Sequence, residues 1–288
     1  MATFLLEALT GEGSWYNKGE PSMKNVFNWA RTAVPACAIA LAALASAPAK
    51  AEVVQLGFIL DSSGSIGSSN WTTIVNGLSS AVGSLVPLAD PLGITYEISV
   101  VTFSTGATIS VNSYAVTDAA SRSALATQIA GIGFQSGSTN YSAAFAAMQT
   151  ALTDNIGTKA ADATASYVNF ATDGEPNVDT GNTLINRNAL LTAGVDNLSI
   201  EGIGSGVDAN YLKGQICSPQ PCDDTDPYNF PTQGFYIGVT NAAGYVAAIG
   251  HKIQIVTHQV PEPASLALVG LALSAAGLAR RRRSVSPV

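Results

Sequence analysis

The chain runs to 288 residues, with 47% hydrophobic and only 11% charged residues and a formal net charge of −7. Between Glu52 and Pro263, five basic residues (Arg122, Lys159, Arg187, Lys213 and Lys252) stand against seventeen acidic ones, a net of −12. So acidic a middle lacks the electrostatic footprint of a nucleic-acid binder and suits an anionic membrane surface poorly, while its length of about 210 residues is ample for one α/β domain.

The N-terminal part reads as an address. Met23 opens a segment with Lys24 and Arg31 as a positive start, Ala33 to Leu44 as an apolar stretch, and Ala49-Lys50-Ala51 as a small-x-small cleavage site. That order predicts a secretory signal peptide over 23–51, with Glu52 the first mature residue. Residues 1–22 precede the positive region and read as a misassigned N-terminal extension, with an unusually long n-region as the alternative. Lys18-Gly19-Glu20, just before Met23, back-translates to a purine-rich stretch of the ribosome-binding type.

The middle, 52–258, alternates strands and helices. Val53–Leu60 is a nearly continuous apolar run, as in a strand buried on both faces. Residues 69–86 carry Trp71, Ile74, Val75, Leu78, Val82 and Leu85 at helical spacing. Strands follow at 94–103 and 107–111, joined by Ser104-Thr105-Gly106, then a helix over 117–130 with Thr117 as its expected cap. A helix over 141–152, a strand over 166–172, a helix over 182–193 and a strand over 197–203 come next. A short helix near 208–216, a strand over 234–239 and a helix over 242–256 complete the domain. One adjacent strand pair amid strand–helix alternation predicts an α/β fold: a doubly wound, mostly parallel sheet with helices on both faces and one antiparallel edge strand.

In such sheets the site lies at the carboxyl ends of the strands. The first strand runs into Asp61-Ser62-Ser63-Gly64-Ser65, an Asp-x-Ser-x-Ser pattern. Ser136-Gly137-Ser138-Thr139-Asn140 precedes the helix at 141, and the strand at 166–172 runs into Asp173-Gly174-Glu175-Pro176. Two carboxylates among hydroxyls are hard oxygen donors, suited to Mg²⁺ or Mn²⁺ and poor for zinc or copper. Helix capping by Asp61 and Asp173 is compatible with ligation and explains part of the pattern.

Over about 200 residues, from Val53 to Val256, these features resemble the von Willebrand factor A domain with its metal-ion-dependent adhesion site. The resemblance implies that Asp61, Ser63 and Ser65 form the first ligand loop, Thr139 the second and Asp173 the third. It further implies serines bound to metal directly, aspartates acting often through water, and an open position for a partner's acidic group.

Cys217 and Cys222 flank Ser-Pro-Gln-Pro in a turn-rich stretch, and in an exported chain they are expected to form a disulfide. Metal binding by the pair is the alternative. Asp223, Asp224 and Asp226 lack EF-hand spacing and read as a solvated turn entering the last strand at its amino end, opposite the adhesion loops. His251 and His258 read as surface residues. No Gly-x-Ser-x-Gly elbow, phosphate loop or complete dinucleotide fingerprint occurs, so no enzyme is expected.

The C-terminal segment, 259–288, reads Val260-Pro261-Glu262-Pro263, sixteen uncharged residues from Ala264 to Ala279, then Arg280-Arg281-Arg282-Arg283. As a helix those sixteen residues span roughly 24 Å, short of a hydrocarbon core of about 30 Å, so the segment suits transient membrane insertion with the arginines held inside. It resembles the PEP-CTERM sorting signal, which implies processing by an exosortase-type membrane protease. An uncut tail anchor is the alternative. The whole then reads as an exported protein of the cell envelope, outer surface or extracellular matrix of a bacterium. Its expected partner is a protein or acidic polysaccharide offering a carboxylate. The rival reading is a structural matrix or biofilm component in which metal only stabilises the fold.

Overall fold

The computed structural model describes residues 52–85, 94–153, 157 and 159–258. The expected signal peptide, and the tail with Pro261-Glu262-Pro263 and Arg280–Arg283, lie outside the described residues. Six strands form one sheet in the order β3-β2-β1-β4-β5-β6: β1 Glu52–Asp61, β2 Ile94–Phe103, β3 Ala107–Val116, β4 Ala165–Thr172, β5 Asn197–Ile203 and β6 Tyr236–Val239. Every neighbouring pair is parallel except β2 with β3. This is the doubly wound sheet with an antiparallel edge strand that the element order predicts.

β1 lies between β2 and β4, which is why its sequence shows no polar alternation. Val54, Leu56, Phe58 and Leu60 join the core on one face, and Ile59 joins the core on the other. Helices α1 (Gly67–Gly83), α2 (Ala119–Ala130) and α6 (Ala242–His258) cover the first face, with α1 packed against both others. Helices α3 (Tyr141–Thr153) and α4 (Thr183–Thr192) cover the second. A short α5 (Ala209–Tyr211) continues as a wider π turn, Leu212–Ile216.

The helical spacing read from 69–86 is the buried stripe of α1: Trp71, Ile74, Val75, Leu78 and Val82 are all buried. Each such side chain contributes about 1.5–3 kcal/mol on leaving water. On the second face Phe103, Tyr141, Phe145 and Phe170 form an aromatic cluster, with Tyr141 edge-on to Phe170 at 4.7 Å between ring centres. Gly57 lets α3 approach β1 closely, since a Cβ there would stand 2.8 Å from Met148 Sδ.

Two elements depart from expectation. β3 runs on to Val116 instead of ending near Val111, pairing Tyr96 with Val116 through register shifts around Val100. As an edge strand it is only half-buried, so its second half carries no apolar run to read. Helix α2 starts after Asp118 rather than at Thr117. The Asp118 carboxylate accepts the Ser121 N–H at 2.7 Å and Ser121 Oγ accepts the Asp118 N–H at 3.0 Å, a reciprocal cap.

Cys217 and Cys222 are bonded to each other. Their loop lies at the amino end of β5, where Ser218 bridges to Leu198, and Asp223 bridges to Phe235 just before β6. It is therefore at the end of the sheet opposite the carboxyl-terminal loops. Asp224 pairs with Lys213 at 2.8 Å.

Candidate metal centre

Strand order reverses between β1 and β4: the chain moves from β1 outward to β2 and β3, then returns to the other side of β1. The crevice at such a switch point, outside the carboxyl ends of the strands, is where open α/β sheets place their ligands. Asp61 ends β1, and Thr172 ends β4 with Asp173 directly after it, on either side of that crevice.

Four of the five expected ligand residues are tied into one network. Asp61 Oδ1 accepts the Ser63 N–H at 2.8 Å, folding the chain back beneath its own side chain. Ser63 Oγ lies 3.1 Å from Ser65 Oγ, and Ser65 Oγ donates to Asp173 Oδ1 at 2.7 Å. Asp61, Ser63 and Thr139 are 2%, 1% and 4% exposed, whereas Ser65 is exposed and Asp173 half-buried, so the cluster is open on one side only. Asp61 does not cap α1, whose N-cap is Ile66 with no side-chain bond.

Thr139 is held differently. Its N–H donates to Asn177 Oδ1 at 2.9 Å and its carbonyl accepts from the Asn177 N–H at 2.9 Å, which binds the second loop to the segment after Asp173. The first and second loops meet where the Gly64 N–H donates to the Gly137 carbonyl at 2.8 Å. Gly137 has φ of +111°, and a Cβ there would lie 2.6 Å from Thr105 Oγ1, so only glycine suits the turn.

The residues that hold these ligands carry almost no signal in the sequence. Thr172 donates to Asp61 Oδ2 at 2.6 Å. The Tyr141 hydroxyl donates to the Gly174 carbonyl, and it also reaches Thr172 Oγ1 at 3.2 Å. The Gln135 N–H donates to Ser62 Oγ at 2.8 Å. Thr172 is the one with a visible signal, a hydroxyl at the end of an otherwise apolar strand next to a proposed ligand.

Burial lifts the Asp61 carboxyl to about 6; hydrogen bonds from Ser63 and Thr172 work against that, and the charge of Asp173 adds to it. Burial also raises Asp173, opposed by the bond from Ser65. The ion pairs among the described residues, Lys213–Asp224 and Lys252–Glu201, involve neither carboxylate. A buried carboxylate beside a second one, with no cationic side chain paired to it, is costly unless a cation joins it. Among the described residues no three His, Cys, Asp or Glu side chains cluster, so hydroxyls must complete any donor set here. Oxygen donors alone fit a hard divalent cation.

Residues 55–230 match the family model of the von Willebrand factor type A domain. The chain belongs to that family. Residues 259–283 match the PEP-CTERM protein-sorting motif, which marks this von Willebrand factor A protein for export. No curated protein matches the chain by sequence.

Among solved structures, it is similar to proximal thread matrix protein 1 from the mussel byssus, described with a zinc-occupied MIDAS motif. Identity is 16% and the TM-score 0.56, over 71% of this chain and 48% of that one. It is similar to the pilus adhesin SpaC from Lactobacillus rhamnosus GG, at 14% identity and a TM-score of 0.50 over 70% and 30%. A von Willebrand factor type A protein from Catenulispora acidiphila gives 17% and 0.50 over 70% and 42%. The chain spans less than half the length of these proteins, and at such identities the likeness establishes the fold.

Proposed function

We propose that this protein captures a carboxylate-bearing protein ligand outside the cell, through a divalent cation held by Asp61, Ser63, Ser65, Thr139 and Asp173. The observation that carries the reading is the run of oxygen donors from Asp61 through Ser63 and Ser65 to Asp173, buried at one end and open at the other. Ser63 and Ser65 would ligate through their hydroxyls, Asp61 and Asp173 would balance the charge, and Thr139 would join from the second loop. A Mg²⁺ or Mn²⁺ ion bound there would offer an incoming carboxylate an electrophilic position, since neutral hydroxyls leave most of its charge uncancelled. The zinc-occupied MIDAS motif of the mussel protein supports a divalent ion in this fold.

Charge favours a protein over an acidic polysaccharide as partner. A groove of about 380 Å³ beside the Asp173 turn is lined by Glu175, Pro176, Thr180, Leu184, Asp208 and Tyr211. Its two carboxylates, on a segment (Glu52 to Pro263) of net −12, repel a polyanion but admit one carboxylate on a neutral or basic segment. The immobilised protein should retain extracellular proteins of its bacterium in Mg²⁺ and release them into a chelator. Equal retention in both conditions, or retention of a polyanion such as polygalacturonate instead, counts against this reading.

A further inference from the structure

β4 and β5 present Asn169 and Glu201 to the same side of the sheet, and α6 lays Lys252 over them. The register pairs Asn169 with Ser199 and Ala171 with Glu201, so amide and carboxylate stand on neighbouring strands, two residues out of step. Lys252 Nζ lies 2.5 Å from Asn169 Oδ1 and 2.6 Å from Glu201 Oε1. Lys252, Asn169 and Glu201 are 3%, 4% and 0% exposed. The Phe235 ring centre is 4.7 Å from the same nitrogen, and Phe230 packs edge-on to Phe235. A cavity of about 20 Å³ is lined by Asn169, Lys252, Asn197, Ser199 and Phe230, room for one water-sized molecule.

As a means of holding a helix on a sheet this triad is poor, because desolvating two charges often costs more than their attraction returns. What it does provide is an amine held against an amide, in an apolar pocket, with a carboxylate touching the amine. We propose that Lys252 and Asn169 become covalently joined by an intramolecular isopeptide bond, Nζ to Cγ, with Glu201 carrying the protons.

Attack requires the neutral amine. Burial pulls the Lys252 ammonium below its usual range against the pull of Glu201, and pushes the Glu201 carboxyl above its own. Passing one proton from Nζ to Glu201 removes both buried charges at once. Nζ then adds to Cγ of Asn169 while the Glu201 carboxyl donates to Oδ1, steadying the oxygen as charge develops. Collapse of the tetrahedral centre breaks the Cγ–Nδ2 bond, and the nitrogen leaves as ammonium with the protons Lys252 has given up. Overall, an ammonium and a carboxamide become a secondary amide and an ammonium ion, and Glu201 returns to a carboxylate. No oxidant is needed, and the adjoining cavity is large enough to receive the departing group. The product ties β4 to α6 across 83 residues of sequence.

The exported protein, purified intact, reduced and digested with trypsin, tests this directly. Lys159 and Arg187 flank Asn169 with no basic residue between, so residues 160–187 should emerge joined to the peptide carrying Lys252. Cleavage after Lys252 should be blocked, and the joined mass should fall short by one ammonia. A free 160–187 peptide together with normal cleavage after Lys252 overturns the proposal. Glu201→Gln keeps the size of the side chain but can neither accept the proton from Nζ nor give one up, and should slow linkage on the order of a hundredfold. A folded Glu201→Gln protein that links as fast as the parent overturns the role of Glu201. If that variant does not fold, the peptide map of the parent protein still decides the bond.

Discussion

Ser65 Oγ donates to Asp173 Oδ1 at 2.7 Å, a single hydrogen bond across 108 residues of sequence. It exists because β1 and β4 are parallel neighbours whose carboxyl ends emerge side by side. Ser65 is exposed, so Ser65→Ala should change stability by less than about 0.5 kcal/mol. Yet it removes a proposed ligand that also orients Asp173, and should weaken Mn²⁺ binding at least about tenfold. Thermal melting beside a Mn²⁺ titration separates the two effects; an unchanged Mn²⁺ affinity would take Ser65 out of the ligand set.

Thr172→Val tests the support beneath the ligands. Valine keeps the shape but loses the 2.6 Å bond to Asp61 Oδ2, leaving a buried carboxylate short of a donor. The metal-free protein should lose about 1–3 kcal/mol, and metal affinity should fall roughly 10–100-fold. Chemical denaturation in chelator measures the first and calorimetry the second.

Burial sets a pH dependence through Asp61, whose carboxyl is lifted to about 6. The folded value is the higher one. In the metal-free protein this group therefore contributes stability that is fully present below about pH 4 and lost as pH rises through 6. The two-unit difference corresponds to roughly 3 kcal/mol. Metal binds the charged form, so Mg²⁺ should raise the melting temperature more at pH 7.5 than at pH 5. Equal shifts at both would mean that Asp61 does not titrate with binding.

Processing follows from the sorting motif at 259–283. The exported form should begin near Glu52 and lack everything after the Pro261-Glu262-Pro263 region. Intact mass decides it, and a product that retains Arg280–Arg283 would point to an uncut anchor instead.

The fold was legible because its strands are apolar runs and its helices carry clear buried stripes, as in Val53–Leu60 and the Trp71-to-Val82 series. Edges read worse: the half-buried second half of β3 has no hydrophobic pattern, and Asp118 competed with Thr117 as a cap through a side-chain bond that spacing alone does not rank. The five candidate ligands were visible because each follows a strand or precedes a helix within a short polar motif. Their supports were not. Thr172, Gln135, Asn177 and Tyr141 act through contacts between loops far apart in sequence, which no local pattern encodes. The triad of Asn169, Glu201 and Lys252 was hidden for the same reason, since two strands and a helix must assemble before it exists.

The central claim is that Asp61 belongs to a divalent-cation site, and Asp61→Ala tests it most directly. The substitution removes one of two charge-balancing carboxylates at the end of β1, while core residues such as Phe58, Leu60, Val100 and Phe103 stay in place. Titration calorimetry of parent and variant with Mg²⁺ and Mn²⁺, beside circular dichroism of both, is the measurement. The account predicts saturable binding to the parent, a loss of at least about a hundredfold in the variant, and superimposable spectra. Equal metal affinity in a folded Asp61→Ala protein would contradict it.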